Sequence, residues 1–347
     1  MMDINQFRNW PLLATAIPVA SATLCAALIV VLRPLLVRYA LARPNARSSH
    51  TEPTPQGGGI AIMAATVIVV LLAGLWTTLT FAAIVVLSAA ILLAVIGTLD
   101  DLRPLPVVPR LLLQIIAVAS VLVVLPEQVR LVPFIPFWVE RGLLLLAMLW
   151  FVNLVNFMDG LDWMTVAEML PVTVTLAAFG LAGWTPLGVL PVVLALAGAL
   201  IGFAPFNRPV ARLFLGDVGS LPLGLLIAWS LVLLAGQGHL AAALLLPLYY
   251  MADATITLLL RLSRGEKVWE AHRTHFYQRA TNNGFTVIQV VRTVFVLNVV
   301  LAGLAASSIV LKSIKTDIVL CAVGTVAVAA VLVRFARLNR AIRPPQP

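Results

Sequence analysis

The sequence predicts an all-α fold: a polytopic membrane helix bundle of about eleven transmembrane helices, with the N-terminus outside and the C-terminus inside. Three observations predict it. The 347 residues are 61% hydrophobic and 11% charged, against roughly 25% charged residues in soluble domains. The mean hydropathy is +1.04. Apolar runs of membrane-crossing length alternate with short polar loops, and Lys and Arg concentrate on every second loop. No hydrophilic stretch is long enough for a soluble domain, so residues 1–347 are read as one integral membrane domain.

In chain order the runs are about 11–32, 59–76, 80–98, 110–126, 137–155, 165–182, 186–204, 219–236, 240–261, 287–309 and 316–335. Met1–Trp10 is polar with one Arg, and no small-residue cleavage site follows the first run. That run is expected as a retained helix, not a signal peptide. Pro18, Pro191, Pro222 and Pro247 fall in or near runs, where neighbouring helices can satisfy the backbone groups that proline frees. Cys25 and Cys321 lie inside apolar runs and read as small apolar side chains.

With the N-terminus outside and strict alternation, 18 of the 23 Lys and Arg face the cytoplasm. Arg8, Arg130, Arg141, Lys312 and Lys315 face outward. The net charge of +9 is then a property of one face, suited to anionic headgroups and anionic substrates. Arg337, Arg340 and Arg343 are assigned to topology alone. Asp100, Asp101, Asp159, Asp162 and Asp217 fall on that same basic face. Topology does not call for acids there. The cluster suggests a divalent cation offsetting the carboxylates, with basic residues around it gripping phosphates.

The motifs sit where runs end. Asn153, Asn156, Asp159 and Asp162 are spaced three apart, so their oxygens fall near one face of a helix or tight helix-turn. Four such side chains can hold a hard cation and the polar groups of a ligand. Gly57-Gly58-Gly59 opens a helix and is either a hinge or a set of backbone amides left free for an anion. Asp100-Asp101 closes a run, an unusual place for paired carboxylates, and is read as functional. In Phe214-Leu215-Gly216-Asp217-Val218-Gly219-Ser220 the glycines free the backbone to aim Asp217, and Phe214 can stack on a base. The alternative is that Asp217 is a helix cap. His272 and His275 have no nearby Cys or further His to complete a zinc site, and an Arg273-flanked pair fits phosphate better. Asp253 lies within a run, where acids are costly, and is expected to pair with Arg261.

Taken together, these pieces resemble the polyprenyl-phosphate N-acetylhexosamine-1-phosphate transferases, the glycosyltransferase-4 group that includes phospho-MurNAc-pentapeptide translocase. The matching elements are His50-x-x-Pro53-Thr54-Pro55 with Gly57-Gly58-Gly59, Asp100-Asp101, Asn153-x-x-Asn156-x-x-Asp159-Gly160-x-Asp162, Phe214-x-Gly216-Asp217-x-Gly219-Ser220 and His272-x-x-His275. They cover about residues 50–279, in family order and on one membrane face. The resemblance implies a Mg²⁺-dependent transfer, with Mn²⁺ as a substitute, of a sugar-1-phosphate from a UDP-N-acetylhexosamine to undecaprenyl phosphate, releasing UMP. It implies a multi-pass protein of the bacterial cytoplasmic (inner) membrane, with no nucleic-acid partner; a homodimer is left open.

Carried over by position, the resemblance implies that Asp217 binds the metal, with Asp159 as its neighbour, and that Asp100 prepares the lipid phosphate. Asp101 and Asp159 join Asp100 in the chemistry. Asp162 contacts the base, Phe214 stacks on it, and Asn153, Asn156, His50, His272, Arg273 and His275 bind substrate. Trp163 follows Asp162 where the family often has Gly. Phe276-Tyr277-Gln278-Arg279 after the His pair is closer to the branch that initiates O-antigen or exopolysaccharide. UDP-GlcNAc, UDP-FucNAc and UDP-QuiNAc are then the candidate donors. The competing class is a transporter or flippase of lipid-linked sugars. Such carriers tend to show inverted repeats and midplane sites, and here the polar clusters lie at one face, Asp253 excepted.

Overall fold

The computed structural model describes residues 10–42, 53–77, 79–267 and 272–337. They form thirteen α-helices: α1 Trp10–Tyr39, α2 Gly58–Ala73, α3 Phe81–Leu102, α4 Val107–Val123, α5 Phe137–Met158, α6 Met164–Leu181, α7 Leu190–Phe203, α8 Asp217–Gly236, α9 Leu240–Leu245, α10 Leu248–Ser263, α11 Phe276–Asn282, α12 Val287–Leu311 and α13 Ile314–Ala336. An all-α membrane bundle is what the composition demanded. Seven helices (α1, α3, α5, α6, α8, α12 and α13) are long and apolar enough to cross a membrane. α2, α4 and the Leu187–Phe203 stretch containing α7 are shorter apolar helices. The run expected over 240–261 is two helices, α9 and α10, parted at Leu246–Pro247, because Pro247 has no N–H to continue the ladder.

One element lay outside the expectation. β1 Leu41–Ala42 and β2 Thr54–Pro55 form a two-stranded antiparallel sheet, with Leu41 opposite Pro55 and Ala42 opposite Thr54. Gln56 then bridges in parallel to Phe214. This hairpin ties the start of α2 to the segment leading into α8.

α8 is the central pillar. All of its apolar window is buried, with α2, α3, α5 and α9 packed around it. Two contacts at its start are backbone against backbone. A Cβ on Gly59 would collide with the main chain of Gly219, and one on Gly97 with that of Asp217 and Val218. Three helix ends therefore meet at the first turn of α8. α1 lies along α7, where the Ser21 hydroxyl donates to Ala195 O at 2.7 Å. α12 closes the other side against α6.

Candidate active site

The end of α3, the end of α5 and the start of α8 converge on Asp217. α5 continues to Met158, so Asn153 and Asn156 project from helix and not from a loop. Asn156 Nδ2 donates to Asp217 Oδ1 at 2.6 Å and to Ser220 Oγ at 2.9 Å. Asp100 and Asp217 lie within side-chain hydrogen-bonding reach of one another. Asp100 also accepts from Leu105 N at 2.6 Å and from Arg110 Nη1 at 2.7 Å.

Asp101 does something different from its neighbour. Its Oδ1 accepts from Asp217 N at 3.1 Å and its Oδ2 from Val218 N at 3.2 Å. The first free amides of α8 are thus capped by a carboxylate from α3. Gly216 makes this feasible: its φ is +77° and a Cβ there would press on Asp101. The cap residue of α8 by backbone position is Gly216, and no side chain of its own caps the helix. Asp217 is therefore not a cap, and that alternative falls.

Asp159 follows the last residue of α5 and accepts from Thr165 Oγ1 at 2.5 Å. Its burial pushes its pKa up to about 7, against the Thr165 bond, and the charges of Asp101 and Asp162 add to the rise. Asp162 is buried and accepts from Ala211 N at 2.9 Å, which fastens the α5–α6 turn to the 205–215 loop. Trp163 sits at φ 60°, the left-handed conformation that suits Gly. Its N–H donates to Asn207 Oδ1 at 2.8 Å and its Nε1 to Ala204 O at 2.6 Å. These bonds hold a bulky residue where the resemblance led one to expect Gly.

Not every predicted residue joins the cluster. Asn153 stands a turn before Asn156 and gives its amide to Gln114 Oε1 and Leu149 O, both at 2.8 Å. Phe214 is half-buried, its N–H bound to Pro55 O and its carbonyl to Gly58 N, both at 2.9 Å. That second bond corrects the anion reading of the glycine run. Gly58 N and Gly59 N donate to Phe214 O and Leu215 O at 2.9 Å, so they are spent on protein. His50 lies outside the described residues.

The His loop reaches the cluster through Tyr277. The Tyr277 hydroxyl donates to Phe157 O at 3.0 Å, over Gly160, where a Cβ would strike it. His275 stacks on Tyr277 with ring centroids 5.8 Å apart, and its Nε2 is 3.1 Å from His272 Nε2. Arg273 is near enough to Tyr277 to act on it electrostatically. The expected Asp253–Arg261 pair is corrected: Arg261 holds Glu266 at 2.8 Å and His272 at 2.5 Å, while Asp253 takes the amides of Phe276 and Tyr277.

The sequence reading missed Arg110, Gln114 and Tyr277. Gln114 carried a usable signal, an amide side chain inside an apolar run. Arg110 and Tyr277 carried none, because their partners are set by packing.

Comparison with known proteins gives the following. The profile described as glycosyl transferase family 4 matches residues 83–235. The chain is 30% identical over 339 residues to the decaprenyl-phosphate N-acetylglucosaminephosphotransferase of Mycobacterium tuberculosis, covering 87% of this chain and 83% of that one. It is 27% identical over 300 residues to a probable undecaprenyl-phosphate N-acetylglucosaminyl 1-phosphate transferase of Bacillus subtilis, covering 82% of each. It is 27% identical over 244 residues to the phospho-N-acetylmuramoyl-pentapeptide-transferase of Streptococcus pneumoniae, covering 65% of this chain and 73% of that one.

Proposed function

The chain belongs to glycosyl transferase family 4, and from that premise we propose that it transfers an N-acetylhexosamine-1-phosphate from a UDP-sugar to undecaprenyl phosphate. UMP is released, and the product starts a lipid-linked O-antigen or exopolysaccharide. The donor is UDP-GlcNAc or a deoxy relative such as UDP-FucNAc or UDP-QuiNAc. The protein is a multi-pass membrane protein, and we place it in the bacterial inner membrane, N-terminus out, with the Asp217 end facing the cytoplasm. The observation that carries the reading is the meeting of the Asp100 and Asp217 carboxyl groups beside Asn156. Two carboxyls brought together at a helix end need a proton or a cation between them.

The donor set fits Mg²⁺. It is oxygen-only, and among the described residues no three His, Cys, Asp or Glu side chains converge as a closed cage. Mg²⁺ usually takes one or two carboxylates and leaves its other positions to phosphate and water. Asp217 would hold it, with Asp159 as the neighbour the resemblance implies; Asp100 and Asp101 are the carboxylates close enough to act on Asp217. When bound, the ion offsets the charge of the pyrophosphate and of the incoming phosphate.

The chain's own residues do the rest. An oxygen of the acceptor phosphate attacks the sugar-bearing phosphorus of the UDP-sugar, and the bond to UMP breaks. One phosphoanhydride is lost and one formed, so the exchange runs in both directions. Asn156 aims Asp217. Arg110 pairs with Asp100; an approaching phosphate gives Arg110 a second anion, and an Asp100 released from Arg110 takes up the acceptor's proton. The His272–Arg273–His275 loop supplies donors for phosphate, and Asp162 and Phe214 border the nucleotide.

Asp253, the one acid away from the face where the other clusters lie, has its carboxylate taken up by helix amides. Purified protein with undecaprenyl phosphate should move labelled UMP into the UDP-sugar pool. A carrier cannot catalyse that exchange, so its absence with every donor of the panel rejects the transferase.

A further inference from the structure

We propose that Asp253 is a positioning residue that fixes the orientation of His275 and, with Arg261 at the other end, the tautomers of the His275–His272 pair, so that the pair meets phosphate in one defined state. The proposal rests on the transferase reading for its kinetic consequence, but not for its structural one. Asp253 is 0% exposed on α10. Its Oδ1 accepts from Phe276 N at 2.9 Å and from Thr257 Oγ1 at 3.3 Å. Its Oδ2 accepts from Tyr277 N and from Tyr249 Oη, both at 3.1 Å. α11 starts with no side-chain cap of its own, so Asp253 caps it from another helix. The residue at the cap position is His275, whose Nδ1 lies 3.4 Å from Asp253 Oδ1. The buried ring of His275 is thereby held between this carboxylate and the Tyr277 ring.

The donors and acceptors then order themselves. The order of protons is read from the Arg261 end, because Asp253 Oδ1 lies close to His275 Nδ1 but forms no hydrogen bond with it. Arg261 is donor-only, and its Nη1 is 2.5 Å from His272 Nδ1. His272 therefore carries its proton on Nε2 and donates it to His275 Nε2 across 3.1 Å. The result is a one-way order from Arg261 to His272 to His275, which leaves the second N–H of His275 on Nδ1, the side that faces the Asp253 carboxylate. Asp253 touches no substrate in this account; it acts through His275.

Two measurements test it. In the wild-type protein, ¹⁵N-histidine NMR should show His275 protonated on Nδ1 and His272 on Nε2, with assignments from single His→Gln variants. The opposite tautomer at His275 overturns the proposal, whatever reaction the protein performs. In the exchange assay, Asp253→Asn should lower kcat/KM for the UDP-sugar by roughly 10–100-fold, the range for partners that orient a histidine. Adding Asp253→Asn to His275→Asn should then cost nothing further. Multiplying losses, or full activity in Asp253→Asn, reject it. If Asp253→Asn does not fold, the tautomer measurement decides alone. If the wild type exchanges no UMP, the transferase reading fails and the tautomer result still stands.

Discussion

α5 carries an acid at each end, and the protein treats the two ends differently. At its start Glu140 is 2% exposed and fully answered. It accepts from Leu131 N at 2.5 Å, from Val132 N at 2.8 Å and from the Arg130 guanidinium. Arg141 beside it lies over the Phe137 ring, 4.8 Å from its centroid. Roughly 30 Å along the helix, the other end presents Asn156 and Asp159 to a group of carboxylates. There Asp100 has Arg110, but among the described residues the Asp217 carboxylate has the Asn156 amide and two further acids, Asp100 and Asp101. A bundle that only needed to fold could close both ends as it closes the first. Carboxylates left facing one another indicate a charge that arrives from outside the chain.

The largest expected effect comes from breaking the second end. Asp217→Ala should lower UMP exchange by on the order of 10³-fold, as loss of several kcal/mol of charge stabilisation does. Nucleotide binding should lose its Mg²⁺ dependence while the unfolding midpoint holds. An unchanged Mg²⁺ titration would move the metal elsewhere.

Next comes the pair on α3. Asp100→Asn should cost roughly 10²–10⁴-fold in exchange. Asp101→Asn should cost at least about tenfold less in exchange, because the Asp101 oxygens serve as a helix cap and Asn keeps one of its two acceptors. Asp101→Ala, measured by thermal unfolding, should lose about 1 kcal/mol of stability. Equal rate losses for the two Asn variants would erase the division of labour between these neighbours.

At the first end the signs reverse. Glu140→Gln should destabilise the protein by on the order of 2 kcal/mol, the worth of a charged hydrogen bond, and leave exchange per folded molecule untouched. A rate loss there would mean that the two ends are coupled through α5. The smallest effect is expected at Trp163→Phe, which removes the Nε1 donor to Ala204 O. It should cost about 1 kcal/mol of stability, and a larger change in KM for the UDP-sugar would give Trp163 a place in the nucleotide pocket.

Much of this was legible in the chain. The apolar runs foretold the helices, and the acids at run ends foretold the cluster, because a helix crossing a bilayer has little other reason to finish in Asn156, Asp159 or Asp100-Asp101. What could not be read was which acid is answered within the fold and which is left facing another acid. Asp101 and Asp217 are 116 residues apart, and their relation is visible only once α3 and α8 touch at Gly97. Asp253 looked like half of an ion pair because Arg261 lies two turns on. Its partners are the Tyr249 and Thr257 hydroxyls on its own helix and backbone amides 23 and 24 residues away, and amides leave no trace in a sequence. The same holds for Gly57-Gly58-Gly59, where the chain showed the glycines but not the carbonyls of Phe214 and Leu215 that consume their N–H groups.

The burial of α8 bears on how the protein is made. In the finished bundle its apolar window meets protein on every side, yet its hydropathy of 2.1 is that of a segment bathed in lipid. Protein surroundings alone would accept paired polar side chains there. The demand for apolarity comes earlier, when the segment leaves the translocation machinery while α9 to α13 are still unmade and has to partition into hydrocarbon on its own composition. Asp217 escapes that demand by standing at the very first residue of the helix. The pillar of the fold is thus written for its journey into the bilayer, and Asp217, the acid proposed to hold the metal, is placed at the one position the journey leaves free.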